Sequence, residues 1–174
     1  MKISENKNLS FFTDEVNSIV RMIKRNKGRF ALTFATFSAV EDRDVLISRI
    51  SYSLLFDGIY PLIFELQKEE DIFSELKNAP GFGNPLFVLG LEKVIPILDP
   101  QKSMVQLNER RGYFEQLNRP VIFWTENSVL AQLARYSPDF WSWRSGVYRF
   151  EKEQNSLLKD RRVIESDHLL EPNI

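Results

Sequence analysis

The residues best placed to do chemistry sit at the ends of apolar runs: Ser38 after Phe30 to Phe37, Glu92 after Leu86 to Leu89, and Thr125 at the close of Val121 to Thr125. An acid just past a buried strand can hold magnesium or activate water, and a strand-end hydroxyl can sense a γ-phosphate. Together Ser38, Glu92 and Thr125 outline a nucleotide site whose ligand would be ATP or GTP with magnesium. A working phosphate loop also needs glycines, so that backbone N–H groups approach the phosphates, and a lysine to neutralise them. Thr36-Phe-Ser-Ala-Val-Glu-Asp-Arg-Asp44 has neither, and carries three carboxylates. Gly90 also stands where a metal-holding aspartate would be expected. Walker-type hydrolysis is disfavoured, and the nucleotide site is vestigial on this reading; the bland alternative pairs Glu92 with Lys93 or Arg111.

Other chemistries fare worse. A metal nuclease built on Asp57, Glu65 and a lysine fails on spacing, because Lys68 is an odd number of residues from Glu65 and a strand would turn it to the opposite face. The chain has no cysteine and one histidine, His168, so disulfides, thiolate metal sites and a Ser-His-Asp triad are not expected, and no metal site is assigned. Lys and Arg total 23 against 24 Asp and Glu, which gives no bulk field to draw in nucleic acid. The basic run Arg21 to Arg29 suits the negative end of a helix dipole as well as it suits a phosphate backbone. No run approaches about 18 consecutive apolar residues, and the start has no apolar leader. A cytoplasmic chain without a membrane span is expected.

The densest aromatic stretch is Tyr136-Ser-Pro-Asp-Phe-Trp-Ser-Trp-Arg144-Ser-Gly-Val-Tyr-Arg-Phe150, with two of the three tryptophans. It reads either as a core-closing anchor or as a recognition surface on which Trp141, Trp143 and Arg144 meet a protein partner. In extended backbone both tryptophans would share one face, and Arg144 would grip a partner carboxylate or stack on a neighbouring ring.

The elements that must position these groups follow from periodicity. Apolar residues at helical spacing from Phe12 to Ile23 predict a first helix over about 10 to 27. Strands are expected at 30 to 37, 60 to 66, 86 to 89, 121 to 125 and 146 to 150. Helices are expected after Ser38, over 69 to 77, over 103 to 117 and from Ser128 to Tyr136, with loops at 79 to 85 and 94 to 102. Alternation of this kind gives a three-layer α/β domain over 1 to 150, with about five mostly parallel strands and helices on both faces. Residues 151 to 174 read as a charged tail or a short helix.

Five segments carry a family resemblance: the strand 30 to 37, Phe87-Val-Leu-Gly-Leu-Glu92, Leu107-Asn108 with Arg111, Pro120-Val-Ile-Phe-Trp124, and Ser137-Pro-Asp-Phe-Trp-Ser-Trp-Arg-Ser-Gly146 running on to Phe150. Over about 10 to 150 the chain resembles the degenerate P-loop NTPase-like domains that accompany tetratricopeptide arrays or STAND-type NTPases in bacterial signalling proteins. It departs from them at Gly112, where an acid often follows the arginine, and no repeat array follows Phe150, so a stand-alone version or an excised domain is expected. The resemblance implies a P-loop NTPase-like fold without a Walker A loop, and a non-catalytic adaptor or regulatory domain of signalling or defence with no cofactor. A nucleotide-binding domain with little or no hydrolysis is the alternative.

Overall fold

The computed structural model describes residues 12–67, 71–95 and 100–150. Five strands form one sheet, β1 (Ala31–Phe37), β2 (Leu62–Glu65), β3 (Leu86–Leu89), β4 (Pro120–Thr125) and β5 (Arg144–Phe150), in the order β2-β3-β4-β1-β5 with every pair parallel. The expected fold class, a three-layer α/β arrangement of about five parallel strands with helices on both faces, is the one found. β3 and β4 are apolar along most of their length because both of their faces are covered.

Strand alternation divides the core in two. Leu32, Phe34, Val88, Val121 and Phe123 face α3 (Ile72–Asn78), α4 (Leu91–Val94), α5 (Pro100–Arg110), a 3-10 segment (Arg111–Leu117), α6 (Asn127–Tyr136) and α7 (Pro138–Ser142). Ala35, Phe87, Ile122, Trp124 and Phe150 face α1 (Thr13–Arg25) and α2 (Val40–Leu55). α1 buries Val16, Ile19, Val20 and Ile23 at the spacing the sequence sets. Of its last-turn cations, Lys24 is paired to Asp57 beyond the end of α2.

Several expectations change. The long helix over 103 to 117 is an α-helix from Pro100 to Arg110 followed by the tighter 3-10 segment, which lets Phe114 and Leu117 reach the core. Its expected preceding loop is replaced in part by α4; residues 96–99 lie outside the described residues. The second strand shortens to Leu62–Glu65, after Pro61, which cannot donate to the ladder. The tail at 151 to 174, with His168, also lies outside the described residues.

A buried arginine joins two distant segments. Arg119 is 2% exposed and donates to four carbonyl oxygens, those of Leu76 (3.2 Å), Ala79 (3.1 Å), Pro80 (2.9 Å) and Gly81 (3.1 Å). It satisfies the carbonyl end of α3 and pins the turn that leads into β3. Gly81 cannot be replaced cheaply there: its φ is +66°, and a Cβ would stand 2.2 Å from Leu62 Cδ1.

Candidate functional site

Ligands of open parallel sheets bind beyond the carboxyl ends of the strands, at the point where successive connections leave in opposite directions. Here that point lies between β1 and β4. The chain leaves β1 through α2, on the α1 side, towards β2 at one edge; it leaves β4 through α6, on the other side, towards β5 at the opposite edge. A crevice of about 460 Å³ opens there, lined by Phe37, Ser38, Val40, Glu126, Asn127 and Ser128.

β1 and β4 run in register, so Thr36 lies directly beside Thr125 just before the lining residues. Both threonines are fully buried, and neither hydroxyl has a hydrogen-bond partner among the described residues. Such buried hydroxyls are costly, and the Thr33 hydroxyl on β1 and the Trp124 indole N–H on β4 are likewise without a partner among the described residues. Among the lining residues the Ser128 hydroxyl lies 3.4 Å from a Glu126 carboxylate oxygen, and Arg149 on β5 donates to Asn127 Oδ1 at 2.8 Å. Arg43, in the first turns of α2, is bound to Asp44 and sits over the Phe37 ring.

The structure therefore brings Ser38 to the crevice, leaves Thr125 buried at the end of β4 just before the lining residues, and places Glu92 past the end of the next strand, in α4. Neither partner expected for Glu92 is its partner: Lys93 pairs with Glu65, and Arg111 with Asp139. One Glu92 carboxylate oxygen is buried and unpartnered. An aspartate in place of Gly90 would be strained, because Gly90 caps α4 at φ +82° and a Cβ there would meet the Leu66 carbonyl oxygen at 3.4 Å. The nuclease trio does not assemble, since Asp57 is held by Lys24 and Glu65 by Lys93; Lys68 lies outside the described residues. Among the described residues no group of three or more His, Cys, Asp or Glu could hold a metal ion, and no helix is long and apolar enough to cross a membrane.

The segment that carries the tryptophans is helical from Pro138 to Ser142, so the condition of extended backbone under which both would share one face is not met. Pro138 opens α7, and Trp143 caps it in the right-handed helical conformation, so Trp141 and Trp143 do not share a strand face. Trp141 packs at a tilt against the core ring of Phe34, 5.4 Å between centroids, and carries the Arg144 guanidinium on its indole. Trp143 is 37% exposed. The turn is latched from α5: Asn108 Oδ1 accepts the backbone N–H groups of Asp139 (2.9 Å) and Phe140 (3.0 Å), and Arg111 donates to the Asn108 carbonyl oxygen and pairs with Asp139. The Ser137 hydroxyl, fully buried, donates to the Met104 carbonyl oxygen. Sequence reasoning missed this latch, although proline at the first position of a helix was a readable signal.

No protein family and no curated protein matches the chain. Among solved structures it is similar to the Aeropyrum pernix ORC2 protein in its ADPNP-ADP complexes, at 11% identity and a TM-score of 0.49, over 88% of this chain and 52% of that one. The chain thus spans about half the length of that structure.

Proposed function

We propose that the chain is a nucleotide-binding domain with a degenerate phosphate site, which takes its ligand in the crevice between β1 and β4 and does not hydrolyse it. The observation that carries this reading is the position of the crevice at the switch point, beyond the paired ends of β1 and β4. Ser38 and Thr125 contribute from the two strands, and Glu92 stands nearby. The absence of glycine and lysine between Thr36 and Asp44 removes the means of holding a triphosphate for attack. Binding without turnover suits a regulatory domain of the bacterial signalling or defence type that the resemblance implies.

Thermal unfolding of the full chain with millimolar adenosine, ADP, ATP or GTP and magnesium tests this. A ligand at a hundred times its dissociation constant adds about 2.7 kcal/mol to stability, so at least one member of the series should raise the midpoint, with no release of phosphate. A flat series overturns the binding reading, and sustained phosphate release overturns the non-catalytic one.

A second reading, an adaptor that binds another protein, draws on Trp143. Its ring is partly exposed directly before β5, an edge strand with no neighbour on its outer side among the described residues. Trp141 and Arg144 support the core, which leaves Trp143 as the candidate contact. Trp143→Ala should then keep the unfolding midpoint and lose partner capture.

A further inference from the structure

We infer that the crevice holds the nucleoside part of its ligand, with the ribose hydroxyls on Glu126, and discriminates against the phosphates. This rests on the nucleotide reading above and specifies which portion of the ligand is recognised. The crevice is divided by chemistry. Phe37 and Val40 form an apolar side suited to the face of a base, while Glu126, Asn127, Ser128 and Ser38 present a carboxylate, an amide and two hydroxyls. Two vicinal hydroxyls can both donate to one carboxylate, the pairing by which an acidic residue reads a ribose in dinucleotide sites. The volume, about 460 Å³, lies within the range of small-ligand sites.

The charges around the crevice oppose a phosphate. None of its lining residues is a lysine or an arginine. Of the cations that contact lining residues, Arg43 is paired with Asp44 and lies over the Phe37 ring, and Arg149 donates to Asn127 Oδ1. Helix N-termini ordinarily attract anions, yet at α2 and α6 acids already stand beside them. α2 carries Glu41 and Asp42 in its first turn, and α6 has Glu126 as its N-cap residue. A triphosphate would meet the carboxylates of Glu41, Asp42 and Glu126, whereas a neutral sugar and base would meet the donors and acceptors of Ser38, Asn127 and Ser128.

Calorimetric titration of the full chain with adenosine, AMP, ADP, ATP and 2′,3′-dideoxyadenosine, and with the matching guanosine series, tests the inference. The expected order is nucleoside tightest, with affinity falling at each added phosphate so that the triphosphate is weaker by about tenfold or more, and with a similar loss for the dideoxynucleoside. Glu126→Gln changes an exposed side chain and should leave the unfolding midpoint in place, while narrowing both gaps. A triphosphate that binds more tightly than its nucleoside, or a dideoxynucleoside that binds as well as the ribonucleoside, overturns this inference and leaves the nucleotide reading standing. A series in which nothing binds at millimolar concentration overturns both.

Discussion

The guanidinium of Arg144 lies 4.0 Å from the centroid of the Trp141 ring, while its Nη1 donates to the Trp141 carbonyl oxygen at 2.7 Å. The arginine is thereby folded back on the turn that precedes it, and the indole beneath it rests on Phe34, which in turn stacks on Phe123 at 5.7 Å. A column of rings ties α7 to the two central strands. Trp141→Ala should destabilise the chain by about 3 kcal/mol, and Arg144→Ala by about 1 to 2 kcal/mol from the lost cation–π contact and hydrogen bond. Trp143→Ala should stay within about 1 kcal/mol. Urea unfolding of the three variants checks the order, and a Trp143 variant as unstable as the Trp141 one would place both rings in the support of the core.

Asn108 makes one side chain serve two backbone donors at the start of α7. Asn108→Ala leaves both N–H groups without that acceptor and should cost about 1 to 2 kcal/mol. Because Trp141 rides on this turn, near-UV circular dichroism should weaken before the far-UV signal does. Coincident loss of both signals would mean that α7 is not a separately latched unit.

Arg119 is nearly fully buried, burial pushes its pKa down, and its charge faces carbonyl dipoles alone among the described residues. Arg119→Met should cost about 3 kcal/mol, since hydrogen bonds from a charged donor are lost and the turn at 79 to 81 is released. Arg119→Lys keeps the charge but not the planar fork, so it should recover only part of the loss. Full recovery by lysine would reduce the role of Arg119 to that of a point charge at the end of α3.

Much of the architecture was legible because burial imposes periodicity. Phe12 to Ile23 fixed a helix, and the apolar runs at β3 and β4 could only be strands covered on both faces. The order of the strands was not legible, since a single sequence does not say that β1 lies between β4 and β5. The crevice depends on that order, so Ser38, Glu92 and Thr125 could be grouped only by strand-end position, and Glu126, Asn127 and Ser128 carried no signal. Arg119 was also invisible, because its carbonyl partners lie about forty residues away and have no side-chain signature. The conformation of the tryptophan segment stays open in the sequence, because five helical residues are too few to display a period.

Asp71 caps α3, accepting the Ser74 backbone N–H at 3.2 Å and the Ser74 hydroxyl at 2.6 Å, with Arg110 close by at 2.9 Å. Burial alone would raise its pKa, but the Ser74 bonds, helped by the Arg110 charge, outweigh it and leave the carboxyl below its ordinary value. A depressed folded pKa gives stability that is present above the unfolded value, near pH 4, and is lost as pH falls through the folded one. Asp71→Ala should therefore cost about 1 kcal/mol at pH 7, with the gap to the unmodified chain closing as the pH is lowered below about 4. A gap that is constant from pH 7 to pH 2 would show that the carboxylate charge contributes nothing to the cap.

Thr36 and Thr125 give the sharpest separation between a packed core and a prepared site. Each buried hydroxyl without a partner costs about 1 to 3 kcal/mol relative to an apolar group of the same shape. Thr36→Val and Thr125→Val should accordingly each stabilise the free chain by about 1 kcal/mol, an unusual direction for substitutions in a close-packed interior. If the hydroxyls reach the ligand, the same variants should bind adenosine about fivefold more weakly, so that stability and binding move in opposite senses. A loss of stability instead would mean that the hydroxyls are already bonded through buried water in the free chain. Stabilisation with unchanged binding would remove both threonines from the site and leave recognition to the residues that line the crevice.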